Sequence, residues 1–240
     1  MAEIFTRFDS NNDVVSNLRQ TVSSGMWSGG TGTLTTFHTS SVQSGSTGRY
    51  FYEVYKDNPA SDTTAEVQFS VAYGHFDGSG SYGQTNNFPS KAIYRQYAQL
   101  VFGDEDSNFV FDGFESNDIW VINIARGSYK HALKAGSLNL KLHPADASVF
   151  SDFFTDDSVT QTGSAVITNL GRQFNLVSGS DGVMSGSKLT QTSHYTTFGS
   201  KDSGSFGFVY PDAGVIIFNA SALRSFSESP LASKINNAST

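Results

Sequence analysis

Cysteine is absent from the 240-residue chain. Its absence excludes a disulfide framework, a Cys-ligated zinc or iron–sulfur site and a cysteine nucleophile, but fixes no compartment. Charge is also sparse, at 15% Asp, Glu, Lys and Arg, against roughly 25% in ordinary globular proteins. The balance is acidic, with 22 Asp+Glu against 15 Lys+Arg and a formal net charge of -7. That argues against sequence-independent nucleic-acid binding, which rests on cationic side chains neutralising phosphates. No uninterrupted apolar run approaches the ~20 residues of a membrane-spanning helix. The opening stretch from Met1 to Phe8 lacks the basic head and apolar segment of a signal peptide.

What the chain does contain is 20 Phe, 10 Tyr and 23 Gly, together with Ser and Thr at roughly a quarter of all residues, well above their usual share. The aromatics supply a large payload for burial, which disfavours disorder. Runs of Thr, Val, Ile, Phe and Tyr alternate with Gly/Ser/Asn/Asp clusters, the pattern of an all-β chain. Leu34–Thr39 and Arg49–Lys56 read as strands, the second with aromatics on both faces. Ala65–Tyr73 puts Val67, Phe69, Val71 and Tyr73 on one side and Glu66, Gln68 and Ser70 on the other, a half-buried strand. Asp118–Ala125 is nearly continuous apolar and reads as a central strand, and Gly214–Phe218 as another buried one. Ser137–Leu142 alternates Leu138, Leu140 and Leu142 against Asn139 and Lys141, and Ala165–Leu170, Gln173–Val177 and Phe206–Tyr210 are weaker strands. Pro89–Phe102 is the best helix: Pro89 fits the first helical position, Gly103 fits just past the end, and Ile93, Tyr94, Tyr97, Leu100 and Val101 recur at helical spacing. Ser221–Ser227 is a second short candidate helix.

The expected fold is therefore mainly β, an antiparallel or sandwich-like arrangement with one or two short helices. At this length one large β domain or two smaller ones fit. The texture changes near Phe150, so 1–150 reads as a β-rich main domain with one helix, and 151–240 as a smaller β-rich segment or second domain. The polar tail after Ser233 has no clear terminating feature, which suggests a natural chain continuing beyond Thr240.

Chemical motifs are weak. Gly78, Gly80 and Gly83 make a literal G-x-G-x-x-G, but no helix opens directly off the third glycine and a second βαβ unit is missing, so it reads as a flexible loop. The histidines His38, His75, His131, His143 and His194 fall in separate elements without metal-ligand spacing. The nucleophile-elbow pattern is absent. A glycosidase carboxylate pair would have to come from Glu53, Glu66, Asp152 or Asp157, and nothing singles out two of them. Asp9, Asn11 and Asp13 resemble the start of a calcium loop, but Val14 stands where its glycine is required and Gln20 where its acidic residue is required. Tyr50, Phe51, Tyr52 and Tyr55 form either an aromatic sugar-stacking row or, as aromatics at strand spacing usually do, part of the core. No catalytic, metal or cofactor residue is expected.

Four strings are distinctive: Ala65–His75 continuing into Gly78–Ser81; Ala92–Tyr97; Asp118–Arg126 with Tyr129 and Lys130; and Phe208–Asn219. The openings Phe8–Val15 and Leu34–Ser41 accompany them. In this order they resemble virion structural proteins of contractile-tailed, myovirus-type bacteriophages, especially those of marine cyanobacteria (cyanophages). The resemblance spans roughly residues 5–220, most of the chain. Lys134–Phe150 departs most from the family pattern.

That resemblance implies a non-enzymatic structural protein of the viral tail, most simply of the baseplate, made in the host cytoplasm and carried in the virion. It implies virus assembly through self- or hetero-oligomeric contacts in a symmetric particle, with no nucleic acid and no membrane as partner. A carbohydrate-binding or host-attachment module bearing a host glycan, a neck or capsid-surface protein, and a cell-wall hydrolase are the alternatives. The candidate interface residues are Tyr50, Tyr52, Tyr55, His75, Tyr82, Tyr94 and Tyr97, because protein interfaces are rich in aromatics and poor in charge at their centres.

Overall fold

The computed structural model describes residues 23–24, 38–39, 51–78, 89–111, 113–142, 152–159, 165–184 and 206–220. In chain order the elements are β1 (Ser23–Ser24), β2 (His38–Thr39), β3 (Phe51–Tyr55), β4 (Val67–His75), α1 (Pro89–Phe102), β5 (Phe109–Phe111), β6 (Phe114–Ser116), β7 (Asp118–Ile124), a 3₁₀ turn (Arg126–Ser128), β8 (Ala132–Leu133), β9 (Leu140–Leu142), β10 (Asp152–Asp156), β11 (Val166–Thr168), β12 (Gly171–Ser180), β13 (Val183–Met184), β14 (Gly207–Tyr210) and β15 (Val215–Asn219). The fold is mainly β. Nine strands pair in the order β2-β3-β4-β7-β15-β14-β12-β10-β9, every neighbouring pair antiparallel. β11 and β13 both add to β12. β5 and β6 form a separate hairpin, and β1 and β8 a short parallel pair.

β7 lies between β4 and β15, so strands from before and after residue 150 are neighbours in one sheet. No described helix is long and apolar enough to cross a membrane. The candidate helix at Ser221–Ser227 and most of the candidate strand at Leu34–Thr39 lie outside the described residues.

The central strands are buried on both sides, which explains their near-continuous apolar sequences. One face carries Ile119 and Val121 of β7, Val215 and Ile217 of β15, and Phe208 and Tyr210 of β14. The other carries Ile122 and Ile124, Ile216 and Phe218, and Val209. On the second face Phe154 of β10 meets Phe206 and Phe218 edge-on, with ring centroids 5.2 and 6.2 Å away.

α1 covers the first face. Its buried stripe is Tyr94, Tyr97, Ala98 and Val101. Leu100, expected in that stripe, is exposed instead: one hundred-degree step past Gln99 carries it to the flank, and Ala98 takes the place against the sheet. Gly103 stops the helix in a left-handed conformation (φ 79°), and its N–H donates to the Gln99 carbonyl at 3.0 Å.

β4 keeps the half-buried reading of Ala65–Tyr73: Phe69 and Val71 pack against the core, and Gln68 and Ser70 on the opposite face are themselves half-buried. Its alternation is large against small. Phe69 and Val71 face one core, while Ala72 and Gly74 lie opposite Val121 and Ile119, under the helix. A Cβ on Gly74 would lie 3.0 Å from the backbone N and Cα of Tyr94. Glycine here sets how closely helix and sheet approach.

Most described phenylalanines serve the core. Rings run in contact from Phe76 to Tyr94, Phe109, Phe111, Phe208 and Tyr210, with centroid separations of 5.5, 5.3, 6.1, 4.8 and 6.5 Å. The β5–β6 hairpin supplies two of these rings. It was not foreseen from sequence, because three-residue strands carry no readable period.

Candidate functional site

The seven candidate interface residues separate. Tyr50 and Tyr82 lie outside the described residues. Tyr94 and Tyr97 are core residues, which corrects their assignment to an interface. Tyr94 is 0% exposed. Its hydroxyl donates to the Ser116 carbonyl (2.6 Å) and accepts the Phe109 N–H (2.9 Å), so one side chain ties α1 to β5 and β6. Burial pushes its pKa up to about 12. Burial likewise raises Tyr97, which is hydrogen-bonded to the side chain of Asn123. Tyr52 and Tyr55 are half-buried, and the Tyr55 hydroxyl donates to Glu53 Oε2 at 2.7 Å.

His75 sits at the end of β4 in a small polar cluster. Its Nδ1 accepts the Asp77 N–H at 3.1 Å, so in the neutral ring the proton belongs to Nε2, which faces Asp118 Oδ1 at 3.7 Å. The Tyr73 hydroxyl donates to that same carboxylate oxygen. Tyr73 and Trp120 lie ring against ring at 5.0 Å. The cluster fixes a carboxylate at the junction of β4 and β7. The nearby Ser116 hydroxyl is directed to the Asp118 carbonyl (2.8 Å) and to Asn219 Oδ1 (3.1 Å).

The other candidate carboxylates do not converge on one site. Glu66 is exposed. Asp157 accepts the backbone and side-chain N–H groups of Asn175 at 2.9 and 2.8 Å, and burial raises its pKa. The adjacent Asp156 clasps the Gly136 N–H at 2.8 Å, which pins the turn before β9. The side chain of Asp152, the calcium-like loop at Asp9–Asp13, Gly80, Gly83, His143 and His194 lie outside the described residues, and only the backbone of His38 is described. Among the described residues no group of three or more His, Asp or Glu is placed to hold a metal ion.

Two surface features stand out. Val166 and Ile167, successive residues of β11, are 55% and 71% exposed. Neighbouring strand residues point to opposite faces, so neither face of β11 is covered by the described residues. Sequence reasoning read Ala165–Leu170 as a strand but favoured tyrosines as the interface and did not single it out. The available signal was the unrelieved Ala165-Val166-Ile167 run between turn-forming residues. The second feature is an open cleft of about 320 Å³ where the ends of β3, β4 and β7 meet the 3₁₀ turn, with Phe51, Glu53, Ser70, Asn123, Arg126 and Tyr129 in its wall.

No family model matches the chain, and neither a curated protein nor a solved structure matches it.

Proposed function

We propose that this chain is a non-enzymatic structural component of a contractile bacteriophage tail, placed in the baseplate and holding neighbouring subunits through apolar and sheet-edge contacts. The observation that carries the reading is β11, where two β-branched apolar side chains stand on opposite faces of a strand that pairs with β12. Side chains of this kind are normally buried. Exposed on both faces of a strand, they suit a ribbon gripped by a neighbouring subunit, and sheet-edge pairing is a standard mode of such recognition. The low charge, the distinctive strings of residues 65–81, 92–97, 118–130 and 208–219 and their resemblance to cyanophage virion proteins support the same reading.

The test is to image purified contractile-tailed particles that carry this chain, extended and contracted, at side-chain resolution. The reading expects a ring of copies at the tail tip with Val166 and Ile167 against another subunit. A ring at the neck or on the capsid surface would overturn the baseplate assignment and leave the structural role. Absence from the particle would overturn both.

A further inference from the structure

We infer that copies of this chain associate head to tail, the acidic cover of one sheet face against the basic cover of the other face in the next copy. Residues 104–118 contain Asp104, Glu105, Asp106, Asp112, Glu115 and Asp118 and no Lys or Arg. Residues 126–141 contain Arg126, Lys130, Lys134 and Lys141 and no Asp or Glu. Between the two stretches runs β7, whose alternate side chains enter the two cores. The acidic stretch lies on the first face with α1, where Phe109 and Phe111 are buried. The basic stretch lies on the second, where Tyr129 and Leu133 are buried and Leu138 and Leu140 pack against the core.

Each cover turns charge and apolar surface outward. In the β5–β6 hairpin Val110 pairs with Glu115, and directly opposed residues share one side of a ladder. Phe109 and Phe111 point to the core, so Val110 and Glu115 point away from it, and Val110 is 44% exposed. Phe102, also exposed, lies against Phe109 with ring centroids 5.0 Å apart. Asp104, Glu105 and Asp106 follow it, all exposed. On the second cover Arg126, Lys130 and Lys134 are exposed. Val159, 63% exposed, lies against Gly136 in the turn that Lys134 begins.

Much of this charge is not cancelled within the fold. Arg95 pairs with Glu105 (3.4 Å) and Asp106 (2.9 Å). Asp104, Glu115, Arg126 and Lys134 make no ion pair among the described residues. Glu115 accepts from Asn108 at 3.1 Å, and Arg126 donates to the carbonyls of Tyr129 and Lys130. Asp181, exposed beside the basic cover, is held by Asn139 at 2.6 Å and leaves the exposed cations in excess.

A partner for either cover must offer apolar side chains among charges of the opposite sign, and the other cover of the same chain does. Pairing of like covers, as in a two-fold dimer, would oppose like charges, which disfavours it. The contact is therefore heterologous and repeats from copy to copy, closing a ring or extending a filament. The net charge of -7 does not forbid it. At physiological salt, exposed charges more than ~8 Å apart are largely screened, whereas opposite charges brought into contact are screened much less. These surfaces are separate from β11, and their pairing requires no particular place for the chain in a particle.

The test is sedimentation of the full-length chain from micromolar to millimolar concentration at physiological salt. Wild type is expected to form species larger than a dimer as concentration rises. Glu105→Lys with Glu115→Lys, and separately Lys130→Glu with Lys134→Glu, are each expected to raise the concentration required by about tenfold or more. An equimolar mixture of the two variants is expected to recover association, because each cover then meets opposite charge. Carbodiimide coupling of carboxylates to amines in a mixture of isotope-labelled and unlabelled wild type reads the contact without any substitution. It is expected to join acids of residues 104–115 to Lys130 or Lys134 of another copy. A wild type that stays monomeric or stops at a dimer, charge variants that associate like wild type, a mixture that does not recover, or the absence of such cross-links would each overturn the inference. Association lost in Val166→Thr with Ile167→Thr but kept in the charge variants would overturn it in favour of β11. None of these outcomes decides whether the chain belongs to a phage tail.

Discussion

Arg172 and Asp212 lock two hairpins together. The Asp212 carboxylate receives Arg172 Nη2 at 2.6 Å, Nε at 3.1 and 3.2 Å, and the Arg172 backbone N–H at 2.8 Å. The start of β12 is thereby clamped to the turn between β14 and β15. Gly171 allows the approach, because a Cβ there would lie 2.6 Å from Asp212 Oδ2. The guanidinium holds the Asp212 pKa below its ordinary value.

Asp212→Ala is therefore expected to destabilise the chain by about 1–2 kcal/mol near neutral pH. The ion pair is roughly a third exposed and screened, so it supplies at most about 1 kcal/mol. The orphaned Arg172 N–H accounts for the remaining ~1 kcal/mol. A depressed carboxylate pKa stabilises above the unfolded value and loses its effect as pH falls through the folded one. The gap between wild type and variant should accordingly narrow below about pH 4. Urea unfolding near neutral pH and near pH 3, at low and high salt, measures it. A gap independent of pH would mean that packing, not charge, joins the hairpins.

Gly74→Ala is expected to be destabilising by about 1–3 kcal/mol, since its Cβ would press on the Tyr94 backbone and push α1 off the sheet. Gly127→Ala is the matched control. It lies in the 3₁₀ turn with nothing within 4 Å of the added carbon, so it should be neutral or stabilise by up to about 1 kcal/mol through the unfolded state. Thermal melts of the pair distinguish close packing from a general effect of glycine replacement.

These two glycines also mark where sequence reasoning reached its limit. Pro89–Phe102 was legible to the residue because its start signal, apolar spacing and Gly103 stop agree. β7 and β15 were legible because strands buried on both faces are continuously apolar. The docking of α1 on Gly74 and Ala72 was not, since small residues read alike as turn formers and as contact surface. β10 (Asp152–Asp156) was read only as an acidic, aromatic segment, because its order comes from pairing with β12, which lies later in the chain. The same reason governs the site. Glu53 was visible as a carboxylate, but its place in one cleft wall with Ser70 and Asn123 exists only through strand register.

Tyr94→Phe is expected to lower stability by about 1–3 kcal/mol, because it strands a buried N–H of Phe109 and a buried carbonyl of Ser116. The wild type should also show an alkaline weakness. The phenol titrates at about 12 in the fold and near 10 when unfolded. A raised folded pKa leaves stability intact below the unfolded value and erodes it as pH rises through the folded one. Denaturant midpoints should thus fall between about pH 10 and pH 12, and less steeply in Tyr94→Phe. Equal slopes would remove Tyr94 from the alkaline transition.

Val166→Thr combined with Ile167→Thr separates folding from assembly. Both replacements keep the branched shape that suits a strand, and both residues are exposed, so the melting temperature should hold within the effect of about 0.5 kcal/mol typical of surface changes. If β11 is gripped by a neighbouring subunit, the loss of two apolar anchors should cut incorporation into particles by about tenfold or more. Quantifying the chain in particles grown with each version, by mass spectrometry against the other tail proteins, reads this directly. Normal incorporation of the double variant would remove β11 from the interface, because no folding defect would be present to obscure the result.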